Sequence, residues 1–148
     1  MDQPDADRLR TNLASGKISR DGFFGDDGRS AAEIIAADAA ELSRLGVDRE
    51  AAAAALERLL GEGLRTPGTA AVIDGIWQVE ADEARGAIPC PFEDGRFRKT
   101  YATITHRPTG SRFFISDLSL HLFAKHGFLQ GHGSPWRIEP ELLKLLVA

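Results

Sequence analysis

The sequence predicts an α+β fold, and three observations carry that reading. Capped helical patterns fill the first half of the chain, alternating apolar residues bracketed by turn dipeptides follow, and capped helical patterns return at the end. Helices in sequence followed by strands in sequence exclude a parallel α/β sheet, which requires the two to alternate. The expected order is an N-terminal helical hairpin, an antiparallel sheet of two β-hairpins, a histidine-bearing helix and a short closing helix. Residues 1–15 read as a loosely attached N-terminal arm and residues 16–148 as a single α+β domain.

The arm offers a short helix over Asp5–Ala14 closed by Gly16. Gly22–Ser30 (GFFGDDGRS) is a turn-rich loop expected to tuck Phe23 and Phe24 onto the core; its acidic pair lacks the oxygen spacing of an EF-hand. Ser30 and Glu33 form a capping box, so a helix starts there, and Gly46 ends it in the left-handed conformation. Asp48 caps a second helix over Ala51–Leu60. Arg49 and Arg58 on that helix are outnumbered by Glu50, Glu57 and Glu62, so the pair reads as a structural hairpin rather than a DNA-reading helix-turn-helix.

Beyond Thr66-Pro67-Gly68 the period changes from helical to alternating. Asp74-Gly75 supplies the positive φ angles of a two-residue hairpin turn between strands at Thr69–Ile73 and Ile76–Asp82. Trp77, Val79 and Ala81 point to one face, and Gln78, Glu80 and Asp82 to the other. A second hairpin, Lys99–His106 with Ser111–Ser116, turns at Arg107–Gly110. Between the two hairpins, prolines on both sides of Cys90 in Gly86–Phe92 (GAIPCPF) hold the backbone extended and stiff.

Bulk properties bound the function. A chain of 148 residues, 43% hydrophobic and 27% charged, has the composition of a globular domain, and one cysteine makes no intrachain disulfide, which suits a reducing compartment. An acidic, polar start without an apolar run argues against a secretory signal, so a cytoplasmic protein without membrane attachment is expected. Residues 1–84 carry 9 basic and 17 acidic side chains, whereas residues 85–112 carry 6 and 2. An acidic half joined to a basic segment repels a polyanion at range, which argues against a nucleic-acid partner and for internal pairing.

Chemistry-bearing residues crowd into Ser116–Arg137, which holds three of the four histidines. Ser116 caps a helix over Asp117–His126, stopped by Gly127. At 100° per residue, His126 falls within the arc of Leu118, Leu122 and Phe123, and His121 lies beside it. The last helix, over Pro140–Val147, brings four leucines down as a lid on the core.

The segment DLSLHLFAKH resembles the helical half of a Cys2His2 zinc finger, with His121-x4-His126 at a zinc-finger spacing, although the paired cysteines of a finger are missing. The resemblance implies a looser zinc site, in which Cys90, His121 and His126 converge with His132 or water as the fourth ligand. In the plain alternative, Cys90 is a small buried hydrophobe and His126 a core-facing histidine bonded to a backbone carbonyl. GFFGDDGRSAAEII, IPCPF and SDLSLHLFAKHGFLQGHGSPWRIEP together resemble a family of small uncharacterised bacterial cytosolic proteins. That likeness implies no activity, only that Cys90 and His121-x4-His126-Gly127-Phe128 belong to one unit.

Three function classes follow. The first is a binding or regulatory module, with a protein or small-molecule partner, stapled by a zinc site. The second is a small metal- or histidine-dependent enzyme with its site between the Cys90 loop and the His121–His132 region. The third is anion or nucleic-acid binding. For an anion, Gly131, Gly133, Ser134 and Arg137 offer backbone amides, a hydroxyl and a guanidinium, without a phosphate-loop or dinucleotide-binding signature. For a nucleic acid, Arg96, Arg98, Lys99, Arg107 and Arg112 would have to share one exposed face.

Overall fold

A computed structural model describes residues 4–14, 16–18 and 22–147. Among the described residues, five helices and four strands run in the order α1 (Ala6–Leu13), α2 (Ala31–Leu45), α3 (Arg49–Leu64), β1 (Ala71–Ile73), β2 (Trp77–Pro89), β3 (Arg96–His106), β4 (Ser111–Ser116), α4 (Asp117–His126) and α5 (Pro140–Val147). The strands form one antiparallel sheet in the order β1-β2-β3-β4. This is the α+β class the sequence predicts.

Local signals act where they are written. Both halves of the Ser30–Glu33 capping box form, Gly46 ends α2 at φ 73°, and Asp48 accepts from Ala51 N–H to start α3. Asp74 and Gly75 both take positive φ, as a two-residue hairpin turn demands. Trp77, Val79 and Ala81 face inward, and together with Ile104, Ile115, Leu56, Leu60 and Leu143 they form a core between the sheet, α3 and α5. None of the described helices is long and apolar enough to cross a membrane.

The region around Cys90 departs from expectation. Gly86–Phe92 is no stiff bridge between two hairpins, because β2 continues through an irregularity at Ala84–Ala87 and stays paired with β3 as far as Pro89↔Arg96. The two expected hairpins are thereby joined by a third and longer one, whose tip is Cys90–Gly95. Cys90 N–H donates to the Gly95 carbonyl at 2.9 Å and Glu93 N–H to the Cys90 carbonyl at 2.9 Å, with Glu93 at φ 61°.

A second apolar cluster collects Leu13 of α1, Phe23, Ile34, Cys90, Phe92, Leu118, Leu122 and Phe128. It docks the segment expected to be loose. Leu13 is fully buried, Asn12 Nδ2 donates to the Pro91 carbonyl at 2.9 Å, and Arg8 pairs with Glu93 at 2.7 Å. Residues 1–3 and 15 of that arm lie outside the described residues.

Candidate metal centre

Two elements build the centre. The β2–β3 tip presents Cys90 and Asp94 from one tight turn, and α4 presents His121 and His126 from its last two turns. Ser116 and Ser119 cap α4 reciprocally, and Gly127 caps it at φ 68°, so His126 is the last residue of the helix. The five-residue step can then close, and the two imidazole centroids stand 5.4 Å apart. Phe92 stacks on His126 at 3.9 Å and Phe97 on His121 at 4.2 Å, which fixes both ring planes.

Both histidines aim at one carboxylate. His121 Nε2 lies 3.0 and 3.1 Å from the two oxygens of Asp94, and His126 Nε2 lies 2.8 Å from Oδ2. A carboxylate only accepts, so each ring donates its Nε2–H; the Cys90 thiol also hydrogen-bonds to Asp94. One ligand atom from each of Cys90, Asp94, His121 and His126 lies within 4.8 Å of all the others. Four-coordinate zinc needs neighbouring ligand atoms about 3.3–3.8 Å apart, so closure asks for movements of about an ångström.

The electrostatics suit a cation. Burial pushes the Cys90 thiol up to about 12, and its hydrogen bond to the anionic Asp94 adds to the rise. Burial alone would raise Asp94 too, but hydrogen bonds from Cys90, His121 and His126 outweigh it and hold the carboxyl below its usual range. Burial lowers His126, against the partly compensating bond to Asp94. Three protons therefore crowd around one carboxylate. A divalent ion at their meeting point would take their place, and with thiolate and carboxylate as ligands it would leave the site neutral.

His132 lies outside this group. It is exposed, its Nδ1 stands 3.9 Å from Glu139, and its backbone N–H donates to Asp27. Asp94, which sequence reasoning passed over, occupies the place expected for His132 or water. One signal for it exists in the sequence: Glu93 and Asp94 are the only acidic residues in the basic segment, and a Cys-x3-Asp-Gly turn brings positions 90 and 94 together.

The glycine loop serves as a structural seam. A Cβ on Gly131 would collide with the Phe24 carbonyl, and one on Gly25 would collide with the backbone of His132–Ser134. The two loops thus approach backbone to backbone, joined by Gly131 N–H to Phe23 O and Asp26 N–H to His132 O. Arg137 is not free to meet an anion, because its guanidinium is 5% exposed and bonds Asp38 at 2.9 Å, the Gln130 carbonyl and Glu139. The basic residues do not share a face either. Arg98 and Lys99 are consecutive on β3 and point to opposite sides, and Arg98 is paired with Glu83.

Comparison with family models, curated proteins and solved structures finds no match to this chain.

Proposed function

We propose that this chain is a binding or regulatory module whose fold is stapled by a zinc-like divalent ion held by Cys90, Asp94, His121 and His126. The observation that carries the reading is the convergence of four ligand atoms within 4.8 Å, drawn from two segments about thirty residues apart. A thiolate and two imidazoles suit zinc and its transition-metal neighbours, whereas calcium and magnesium prefer all-oxygen sites. When bound, such an ion supplies folding energy, because the ligands stand far apart in the unfolded chain.

A structural ion fits better than a catalytic one. The chain itself supplies all four positions, Cys90 is 1% exposed, and the His126 side chain is 4% exposed. Catalytic zinc sites keep a position open to substrate. A nucleophilic role for Cys90 is disfavoured by a thiol pushed up to about 12. The lone buried cysteine accords with a reducing, cytoplasmic setting.

One observation favours the enzymatic reading: His121 also lines a cleft of about 360 Å³ shared with Asp117, Arg98 and Thr100. Cys90, Asp94 and His126 do not line that cleft, so it touches the centre at a single ligand.

Elemental analysis of tag-free protein tests the proposal. One equivalent of zinc or a similar metal is expected, with melting lowered by roughly 5–10 °C in chelator. Protein without stoichiometric metal and with unchanged melting in chelator would overturn it.

A further inference from the structure

The tip that carries Cys90 and Asp94 is gripped from a second side. Along residues 90–94 the tasks alternate: Cys90 and Asp94 present ligand atoms, Phe92 stacks on His126, and Pro91 and Glu93 between them are bonded to α1. Asn12 Nδ2 donates to the Pro91 carbonyl and to Glu93 Oε2, both at 2.9 Å. Arg8 donates to both oxygens of Glu93, at 2.7 and 2.8 Å. Among the described residues, every side-chain hydrogen bond that leaves α1 ends on Pro91 or Glu93. Leu13, fully buried in the same cluster as Cys90 and Phe92, fastens the helix from its apolar side.

Glu93 is where that grip acts on the ligands. Its φ is 61°, in the left-handed region that a residue with a side chain seldom enters. Its N–H closes the turn onto the Cys90 carbonyl, and the left-handed step that follows brings Asp94 back beside Cys90. A glycine would take this conformation freely. A glutamate whose carboxylate is bonded by Arg8 and Asn12 makes the direction of the step depend on α1 instead.

The two grips are unequal. The Arg8 and Glu93 side chains are 58% and 37% exposed, so water and salt screen their pair. Asn12 is 8% exposed, and losing it leaves the buried Pro91 carbonyl without that donor. Asn12 is therefore the principal positioning residue.

Resting on the metal site proposed above, we infer that α1 is a strap coupled to it. Asn12, and Arg8 more weakly, hold the tip so that Cys90 and Asp94 are in register for the ion, and the ion in turn holds α1 down. Such coupling is reciprocal: the factor that docked α1 adds to metal affinity is the factor that the metal adds to the docking of α1. Loss of the ion loosens the N-terminal helix, so the module carries its metal state to a second part of its surface.

Zinc is the probe, titrated into the full chain after chelator treatment, with affinity read by competition against a chromophoric chelator and docking read by hydrogen exchange of the α1 amides. Zinc is expected to slow exchange at residues 9–13 roughly five- to tenfold. Asn12→Ala should still bind one equivalent, about tenfold more weakly, and Arg8→Ala should stay within about threefold of the parent. A packing role alone would lower the melting temperature of chelated Asn12→Ala and leave its zinc affinity untouched. Exchange in α1 that ignores zinc, or parental zinc affinity in Asn12→Ala, would overturn the strap while the metal centre stands. A chain that binds no zinc would overturn both. The exchange measurement uses the unmodified chain, so it decides the matter even if a variant folds poorly.

Discussion

The two ends of Ser116–Arg137 both fasten remote parts of the chain, and they do so with opposite chemistry. At the C-terminal end, Arg137 reaches Asp38, ninety-nine residues away, and Gly131 seats its backbone against Phe24. Every strong group there is spent: burial would lower the guanidinium, but Asp38 and Glu139 more than offset it and keep it charged. At the helical end, Cys90, His121 and His126 all turn hydrogens onto the single carboxylate of Asp94. The first seam is satisfied by the protein alone, while the second gathers four ligand atoms around charge that a cation would satisfy better. Crowded histidines and glycines in a sequence thus give no measure of ligand capacity. What matters is whether the partners they meet exhaust them.

The largest expected effect breaks the satisfied seam. Asp38→Ala leaves the buried Arg137 guanidinium with only the half-exposed Glu139 and one carbonyl, and should cost about 3–5 kcal/mol in urea unfolding, with the loss unchanged by chelator. A loss that vanishes in chelator would tie this seam to the metal and dissolve the distinction. Next comes a paired test at the other end. His126→Ala should abolish metal retention together with the chelator-sensitive stability, about 3 kcal/mol at saturating metal, whereas His132→Ala should stay within about 0.5 kcal/mol of the parent and keep its metal. Metal loss in His132→Ala would restore it as a ligand.

A smaller effect lies in the pH dependence of the chelated protein. Burial lowers His126, so the fold favours its neutral form, and the fold also favours ionised Asp94, held below its usual range. Both contributions are present at neutral pH and both are lost on acidification. Stability should decline first as pH falls below the ordinary imidazole range, about 6.5, and again below the usual carboxylate range. Thermal denaturation in chelator across that span checks it, and a flat profile between neutral and mildly acid pH would contradict the assigned protonation states.

What was legible in the sequence was local. The Ser30–Glu33 capping box, the Asp74-Gly75 turn and the Gly127 stop each work within four residues, and each forms as written. The convergence of Cys90 with His121 and His126 was partly legible, because helix phase places the two histidines on neighbouring faces. Asp94 was not, since its role depends on β2 and β3 staying paired past Ala84–Ala87 to the Pro89↔Arg96 register, which no short pattern announces. Arg137 looked available for an anion because its partner Asp38 lies on a helix nearly a hundred residues earlier. His132 looked like a ligand because closeness along the chain was mistaken for closeness in space.

The central claim, one ion held by Cys90, Asp94, His121 and His126, is tested most directly by loading chelator-treated protein with cobalt(II) and recording the absorption spectrum. The account predicts one equivalent bound, intense visible bands of tetrahedral cobalt and a thiolate-to-cobalt charge-transfer band in the near ultraviolet that Cys90→Ser removes. Weak octahedral bands, or a spectrum that Cys90→Ser leaves unchanged, would contradict it.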